Sequence, residues 1–242
     1  MSNSLLSLAG VNVFYGEFQA LFDLSFDVRV GECVALVGSN GAGKSTLLKA
    51  IAGLMSPRSG TVSLRGDSIG GIGAETVVKK GVALVPEGRR LFPSLTVEEN
   101  LLMGAQAKRG GPWSLERIYQ LFPNIAERRR NLGGALSGGQ QQMVAIGRAL
   151  MTNPDLLLCD EISLGLAPVV VRELYERLAT IRAEGMAVVI VEQDIGQASK
   201  VATKLYCLRS GRVVLEGSPA SLSRQQITEA YFGLETTAHG HP

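Results

Sequence analysis

The sequence is short of cysteine, histidine and long apolar runs, and the lack of cysteines and of apolar runs each closes off a class of protein. Only 3 cysteines stand among 242 residues. Cys33, Cys159 and Cys207 each lie in or beside an apolar, strand-like run, without metal-ligand spacing. They read as small core residues in a reducing compartment, not as a disulfide framework or a zinc site. The 2 histidines, His239 and His241, fall in the last residues, so the body of the chain has none. No apolar run approaches the roughly 18 residues needed to cross a bilayer. Met1 to Gly10 has neither the positive start nor the cleavage pattern of a signal peptide. The expectation is a chain that stays in the cytosol and touches a membrane only indirectly. Charge of either sign is not in excess either: 24 basic and 22 acidic side chains leave a net +2. No basic face is large enough for a nucleic-acid backbone, and Arg128 to Arg130 read as a solvated helix end, so no nucleic-acid partner is expected. There is no internal repeat. With 45% hydrophobic residues, the chain can bury one sizeable core, or a core with a small satellite lobe.

Glycine, in contrast, is concentrated where it can act. Gly38-Ser39-Asn40-Gly41-Ala42-Gly43-Lys44-Ser45, followed at once by Thr46, fits G-x-x-x-x-G-K-[ST] at every fixed position. An apolar run, Val34 to Val37, precedes it, and a helical pattern, Leu47, Leu48 and Ile51, follows. A glycine-rich turn matching by chance would not need both flanks. The pattern predicts a phosphate cradle: backbone N–H groups face one concave anion site and the helix N-terminus adds partial positive charge. Lys44 reaches the outer phosphates, and the Ser45 hydroxyl is offered to Mg²⁺. The implied ligand is a nucleoside triphosphate.

Phe22 to Val30 alternates apolar and polar without a slip, which predicts a strand with one wet face, ended by a turn at Gly31-Glu32. Val34 to Val37 and Val82 to Val85 are apolar throughout, as in a parallel sheet covered on both faces. Thr61 to Leu64 alternates again, and Gly70 to Gly73 marks a loop. Thr96-Val97-Glu98-Glu99 is a capping box opening a helix, and Ser114 caps a second with Leu115, Ile118, Tyr119 and Phe122 on one stripe. Beyond Gly138-Gly139 the expected order is helix 140–152, covered strand Leu156 to Cys159, helix 169–184 and covered strand Ala187 to Val191. A hairpin from Tyr206 to Glu216 and a last helix capped by Ser218 complete the chain. Alternating strands and helices argue for a doubly wound, mainly parallel sheet. The expected fold is α/β, a P-loop NTPase core with an N-terminal antiparallel β lobe and an inserted helical subdomain at about 96–152. Residues 1–234 then form one domain, and 235–242 a disordered tail.

Leu156 to Asp160 is a covered strand ending in a carboxylate, with Glu161 directly after it. In an open parallel sheet such strand ends line the ligand crevice. Asp160 is therefore read as the Mg²⁺ holder, and Glu161 as the group facing the attacking water; the bland alternative is a solvated acidic strand end. Leu136-Ser137-Gly138-Gly139-Gln140 leads into another helix N-terminus with free amides. One nucleotide does not need two phosphate cradles.

Here the sequence resembles the ATP-binding cassette family, whose LSGGQ signature is reproduced from Leu136 to Gln140, and the resemblance covers nearly the whole chain. It implies ATP and Mg²⁺ as cofactors. It also implies a dimer in which the Ser137, Gly138, Gly139 and Gln140 of one subunit close over the ATP held by the other. Tyr15 takes the place of the aromatic that stacks on adenine, although a tyrosine there is as readily a core or hairpin residue. Ser163 to Leu166 matches the D-loop, and Leu91 to Asn100 the segment that meets a membrane partner. Glu87 occupies the Q-loop glutamine position near nucleotide and metal; its charge adds repulsion unless the metal or Arg89 and Arg90 offset it. Ile162 stands where proline usually follows the Walker-B glutamate. Gln193 replaces the usual switch histidine; it can donate an N–H to the γ-phosphate but cannot carry a proton.

PEGRRLFPSLTVEEN, SLGLAP and VEQ together resemble the ATPase subunits of branched-chain amino-acid importers and their relatives for other amino acids, amides or urea. That resemblance implies a homodimer or a heterodimer with a second ATPase subunit, two membrane permeases and, indirectly, a periplasmic binding protein. The expected place is the cytoplasmic face of the membrane. A nucleotide-dependent clamp with slow hydrolysis is the alternative. A GTPase is disfavoured, because no N/T-K-x-D element is present.

Overall fold

The computed structural model describes residues 4–233, so the predicted tail and both histidines lie outside the described residues. The chain opens with the hairpin β1 (Ser4–Tyr15) and β2 (Phe18–Arg29), continues through β3 (Cys33–Val37) into α1 (Lys44–Ile51), and returns as β4 (Ser59–Leu64) and β5 (Asp67–Ser68). Next come α2 (Ala74–Lys80), β6 (Val82–Val85) and a run of helices, α3 (Val97–Ala105), α4 (Leu115–Leu121), α5 (Pro123–Ala126) and α6 (Gly138–Leu150). The last part alternates: β7 (Leu156–Asp160), α7 (Pro168–Ala183), β8 (Ala187–Glu192), α8 (Ile195–Val201), β9 (Lys204–Arg209), β10 (Arg212–Gly217) and α9 (Arg224–Phe232).

Two sheets form, as the two residue patterns require. The half-wet strands pair antiparallel in the order β2-β1-β4-β5, and the covered strands build the order β10-β9-β3-β8-β7-β6. In the second sheet, β9, β3, β8, β7 and β6 run parallel and only the edge strand β10 is antiparallel. Side chains alternate across a strand. Val34, Leu36, Leu156, Leu158, Val189 and Val191 therefore face α1 and the antiparallel sheet, while Ala35, Val37, Leu157, Val188 and Ile190 face the helices on the other side. Apolar cover on both faces is why these strands carry unbroken apolar runs. The three cysteines are buried and unbridged, and burial pushes the Cys33 and Cys207 thiols up to about 11.

The structure departs from the sequence reading in specific places. The alternation of β2 does slip. Val11 and Val13 of β1 lie opposite Leu24 and Leu21, one residue extra on β2, and Asp23 takes φ 47 there with its N–H donated to Asn12. This is a β-bulge, and Val30 beyond it is 49% exposed instead of buried. β1 was not anticipated, because both Leu5 and Leu6 are buried and the register shifts again near Gly10. The seven-residue helices α2 and α8 each bury a single residue, Val77 and Ala198, and so offer no stripe to read. α6 begins two residues earlier than expected because Ser137 is its cap.

The last helix is not capped by Ser218. That serine closes an isolated turn onto Ser221, and the capping box Ser223/Gln226 starts α9 instead. Two reciprocal bonds satisfy two helix-end donors; Ser218 has Ser221 and no glutamate or glutamine three residues on, so it cannot form the same box. Among the described residues, no helix is long and apolar enough to cross a membrane.

Candidate functional site

The parallel sheet gathers the chemistry at one edge. Adjacent strands β3, β8, β7 and β6 all end on the same side. From those ends continue the glycine loop, Gln193, the Asp160-Glu161 pair and Glu87, in that spatial order. This is where an open α/β sheet places its ligand.

The glycine loop keeps its shape for steric reasons. Gly43 has φ 103, and a Cβ there would come within 2.8 Å of Leu21. At Gly38 a Cβ would run into the Leu208 carbonyl. Lys44 is 4% exposed, and its ammonium donates to the carbonyls of Gly38 at 2.7 Å and Ser39 at 3.1 Å. Burial lowers its pKa, and Glu161 and Asp160 pull it back up. Glu161 Oε1 is 3.8 Å from the ammonium, too long for a hydrogen bond, so the loop carbonyls position the lysine.

Ser45 Oγ donates to Asp160 Oδ1 at 3.1 Å, so the two residues assigned to a metal are already paired. Burial raises the pKa of Asp160; the Ser45 bond opposes this, and the charges of Glu161 and Glu87 reinforce it. Glu161 follows with φ 47, its N–H donated to the Val191 carbonyl at 3.0 Å. Gln193 Nε2 donates to Glu161 Oε2 at 2.7 Å. The amide at the histidine position therefore holds the adjacent carboxylate.

A cavity of about 950 Å³ opens over this edge, at the upper end of the range typical of small-molecule sites. Tyr15, Asn40, Gly41, Gly43, Lys44, Ser45, Thr46, Glu87, Glu161 and Gln193 all line it. Gly38, Ser39, Ala42 and Asp160 are not among its lining residues; Asp160 supports Ser45 from below. The Tyr15 hydroxyl sits 3.2 Å from Thr46 Oγ1, and its ring is left at the cavity wall. Phe18 was missed. It is 71% exposed and lines the same wall as Tyr15. An unburied aromatic beside the Gly16 turn was the signal that could have found it.

Neither Arg89 nor Arg90 bonds the Glu87 carboxylate. Arg89 instead donates to Gln141 Oε1, and Arg90 reaches only the Glu87 main-chain carbonyl. Gly88, Arg89 and Arg90 have φ 74, 65 and 48, and Arg148 holds this left-handed run by donating to the carbonyls of both arginines.

Ser137 to Gln140 stand elsewhere. Ser137 caps α6 and exchanges hydrogen bonds with Gln140, at 3.4 Å to its N–H and 3.0 Å from its side chain. Ser137, Gly139 and Gln140 border a separate cleft with Asn124, Glu127 and Val170. A Cβ on Gly139 would lie 2.7 Å from Val170, and one on Gly138 would meet the Arg89 guanidinium. Both glycines are thus fixed by packing, at the start of a helix away from the cavity over the glycine loop.

Known proteins give the same picture. The family described as ABC transporter matches residues 21–163. The high-affinity branched-chain amino acid transport ATP-binding protein BraG of Pseudomonas aeruginosa is 44% identical over 232 residues, covering 95% of this chain and all of that one. The solved structure of an ATP-binding subunit of an ABC transporter superposes with a TM-score of 0.83 at 32% identity, over 95% of this chain and 98% of the other. A dimeric bacterial ABC transporter cassette gives 0.79 at 29% identity, over 89% and 99%. The glycine loop, the strand-end acids and the capped LSGGQ helix lie on a fold shared over most of the chain with these solved structures; the chain belongs to the ABC transporter family, as an ATPase subunit.

Proposed function

We propose that this chain binds ATP with Mg²⁺ in the 950 Å³ cavity, hydrolyses it, and so drives an importer of branched-chain amino acids. The observation that carries the solute class is the 44% identity to BraG along that protein's whole length. Lys44 and the loop amides hold the β- and γ-phosphates, and the rings of Tyr15 and Phe18 are placed for the adenine. Glu161 orients or deprotonates the water, steadied by Gln193, whose second amide N–H is available to a γ-phosphate oxygen.

The metal fits this donor set. Mg²⁺ takes hard oxygen ligands, usually one or two carboxylates together with substrate phosphates. Ser45 and Asp160 supply a paired hydroxyl and carboxylate, and Glu87 adds a second negative charge whose carboxylate neither arginine bonds. Bound there, the ion would neutralise charge on the phosphate oxygens.

The Ser137 to Gly139 tip is assigned to the ATP of a second ATPase subunit, identical or related, since it takes no part in lining its own chain's cavity and borders a separate cleft. The dimeric cassette among the solved relatives supports that arrangement. Two permeases and a periplasmic binding protein complete the assembly, with this chain at the cytoplasmic face of the membrane and no nucleic acid involved.

The test is transport by the complex co-purified with its permeases and placed in liposomes. Uptake of labelled leucine, isoleucine and valine is expected only with ATP inside the compartment this chain faces. ATP turnover by the complex should exceed that of the chain alone by at least about tenfold, about 1.4 kcal/mol of barrier. Unstimulated turnover without uptake would favour the slow clamp, a reading motivated by an amide at Gln193 that cannot carry a proton.

A further inference from the structure

Glu192 is 3% exposed, and nothing in the proposed chemistry uses it. It is the last residue of β8 and lies on the same face as Val188 and Ile190, turned toward α7. Its carboxylate accepts from the Tyr175 hydroxyl on α7 at 2.8 Å and from Ser163 Oγ at 2.6 Å. Ser163 follows Glu161 by two residues, on the same loop. The end of β8 therefore grips that loop at three points: Val191 by its carbonyl to the Glu161 N–H, Gln193 by its amide to the Glu161 carboxylate, and Glu192 by its carboxylate to Ser163.

Burying a carboxylate is costly unless it is fully bonded. Holding α7 would need only the Tyr175 bond, and an apolar contact could serve there as well. The Ser163 bond is what gives a charged group at this place a use. Between the two gripped residues, Glu161 is held at φ 47 and Ile162 is 1% exposed, so a shift of Ser163 has little slack to absorb it before Glu161 moves. Just beyond, Leu164 is 52% exposed and lines the ATP cavity, so the loop has no core packing of its own at that point.

We propose that Glu192 is a positioning residue for hydrolysis: by holding Ser163 it fixes the loop that carries Glu161 at the orientation in which Gln193 meets it. This rests on Glu161 being the group that addresses the water. Neither Glu192 nor Ser163 is among the residues lining the cavity. The effect should therefore fall on kcat and not on KM.

The experiment is steady-state ATP hydrolysis by the full chain carrying Ser163→Ala, Glu192→Gln, both changes, or Tyr175→Phe. A sub-ångström misplacement of a catalytic group slows the chemical step; each of the first two variants is expected to lose about tenfold in kcat with KM for ATP within about twofold. The double variant should lose about tenfold in total and not a hundredfold, because both changes act on one contact, which Ser163→Ala removes and Glu192→Gln strips of its charge. Tyr175→Phe removes the other bond to the same carboxylate; it should lower the thermal midpoint and change kcat by less than about twofold. Multiplying losses, a kcat that follows stability alike in all variants, or an unchanged kcat in Ser163→Ala would overturn the proposal. Should Glu192→Gln fail to fold, Ser163→Ala still decides. Glu161→Gln is run alongside: if it keeps turnover, the assignment of Glu161 fails; if it is inactive while Ser163→Ala is normal, only the positioning role fails.

Discussion

Glu161→Gln is expected to bind ATP as the unchanged chain does and to hydrolyse it at least about a hundredfold more slowly, the lower end of what a positioned general base contributes. The substitution keeps size and shape and removes the charge that orients or accepts a proton from water. No hydrogen bond within the glycine loop depends on that charge. Gln193 can still donate to the remaining side-chain oxygen, and Lys44 is held by the Gly38 and Ser39 carbonyls, not by Glu161 at 3.8 Å. The phosphate cradle should survive intact. Calorimetric titration with ATP, paired with phosphate release under saturating nucleotide, checks both halves. Turnover within about twofold of the parent would remove Glu161 from its role, since that is far below a general-base effect.

Ser137→Asp is expected to abolish productive turnover by a different route. Aspartate caps a helix as well as serine does, so α6 should keep its start and the thermal midpoint should stay put. What changes is charge, at the point assigned to the γ-phosphate of a second subunit. Two unit charges about 4 Å apart repel by about 4 kcal/mol at an effective dielectric constant near 20. That corresponds to a loss of roughly a thousandfold. Ser137 is not among the residues lining its own chain's cavity, so ATP binding by the separate chain should be unaffected. Ser137→Asn caps equally well without the charge, and about tenfold or less is expected to be lost. If Ser137→Asp hydrolysed ATP at the parental rate, no phosphate would be docking at that tip.

What was legible in the sequence was whatever a fixed local spacing or an unbroken apolar run encodes. Gly38 to Ser45 needs its glycines at set positions for one backbone shape, and Val34 to Val37 and Leu156 to Cys159 need apolar cover on both sides; both signals survive in one dimension. β1 was hidden because its bulges break the period on which strand recognition depends. α2 and α8 were hidden because one buried residue makes no stripe. The start of α9 went wrong where two capping signals compete five residues apart, and the one with two reciprocal bonds prevailed.

At the site, the acids, the glycine loop and the shared metal role of Ser45 and Asp160 were legible, and the direct side-chain hydrogen bonds were not. Ser163 meets Glu192 across 29 positions, Arg89 meets Gln141 across 52, and Ser45 meets Asp160 across 115. Such contacts are set by strand order, which no local pattern states. Strand order also explains Gln193. As an isolated residue it is a histidine missing; beside β7 it is a donor aimed at Glu161.

The measurement that bears most directly on the whole account is a structure of the Glu161→Gln chain, within its transporter and with ATP bound. This chain's Ser137 Oγ and Gly139 N–H are expected within hydrogen-bond reach, about 3 Å, of a γ-phosphate held by the other ATPase subunit's glycine loop. An α6 tip left in solvent, well away from any nucleotide in that trapped state, would contradict it.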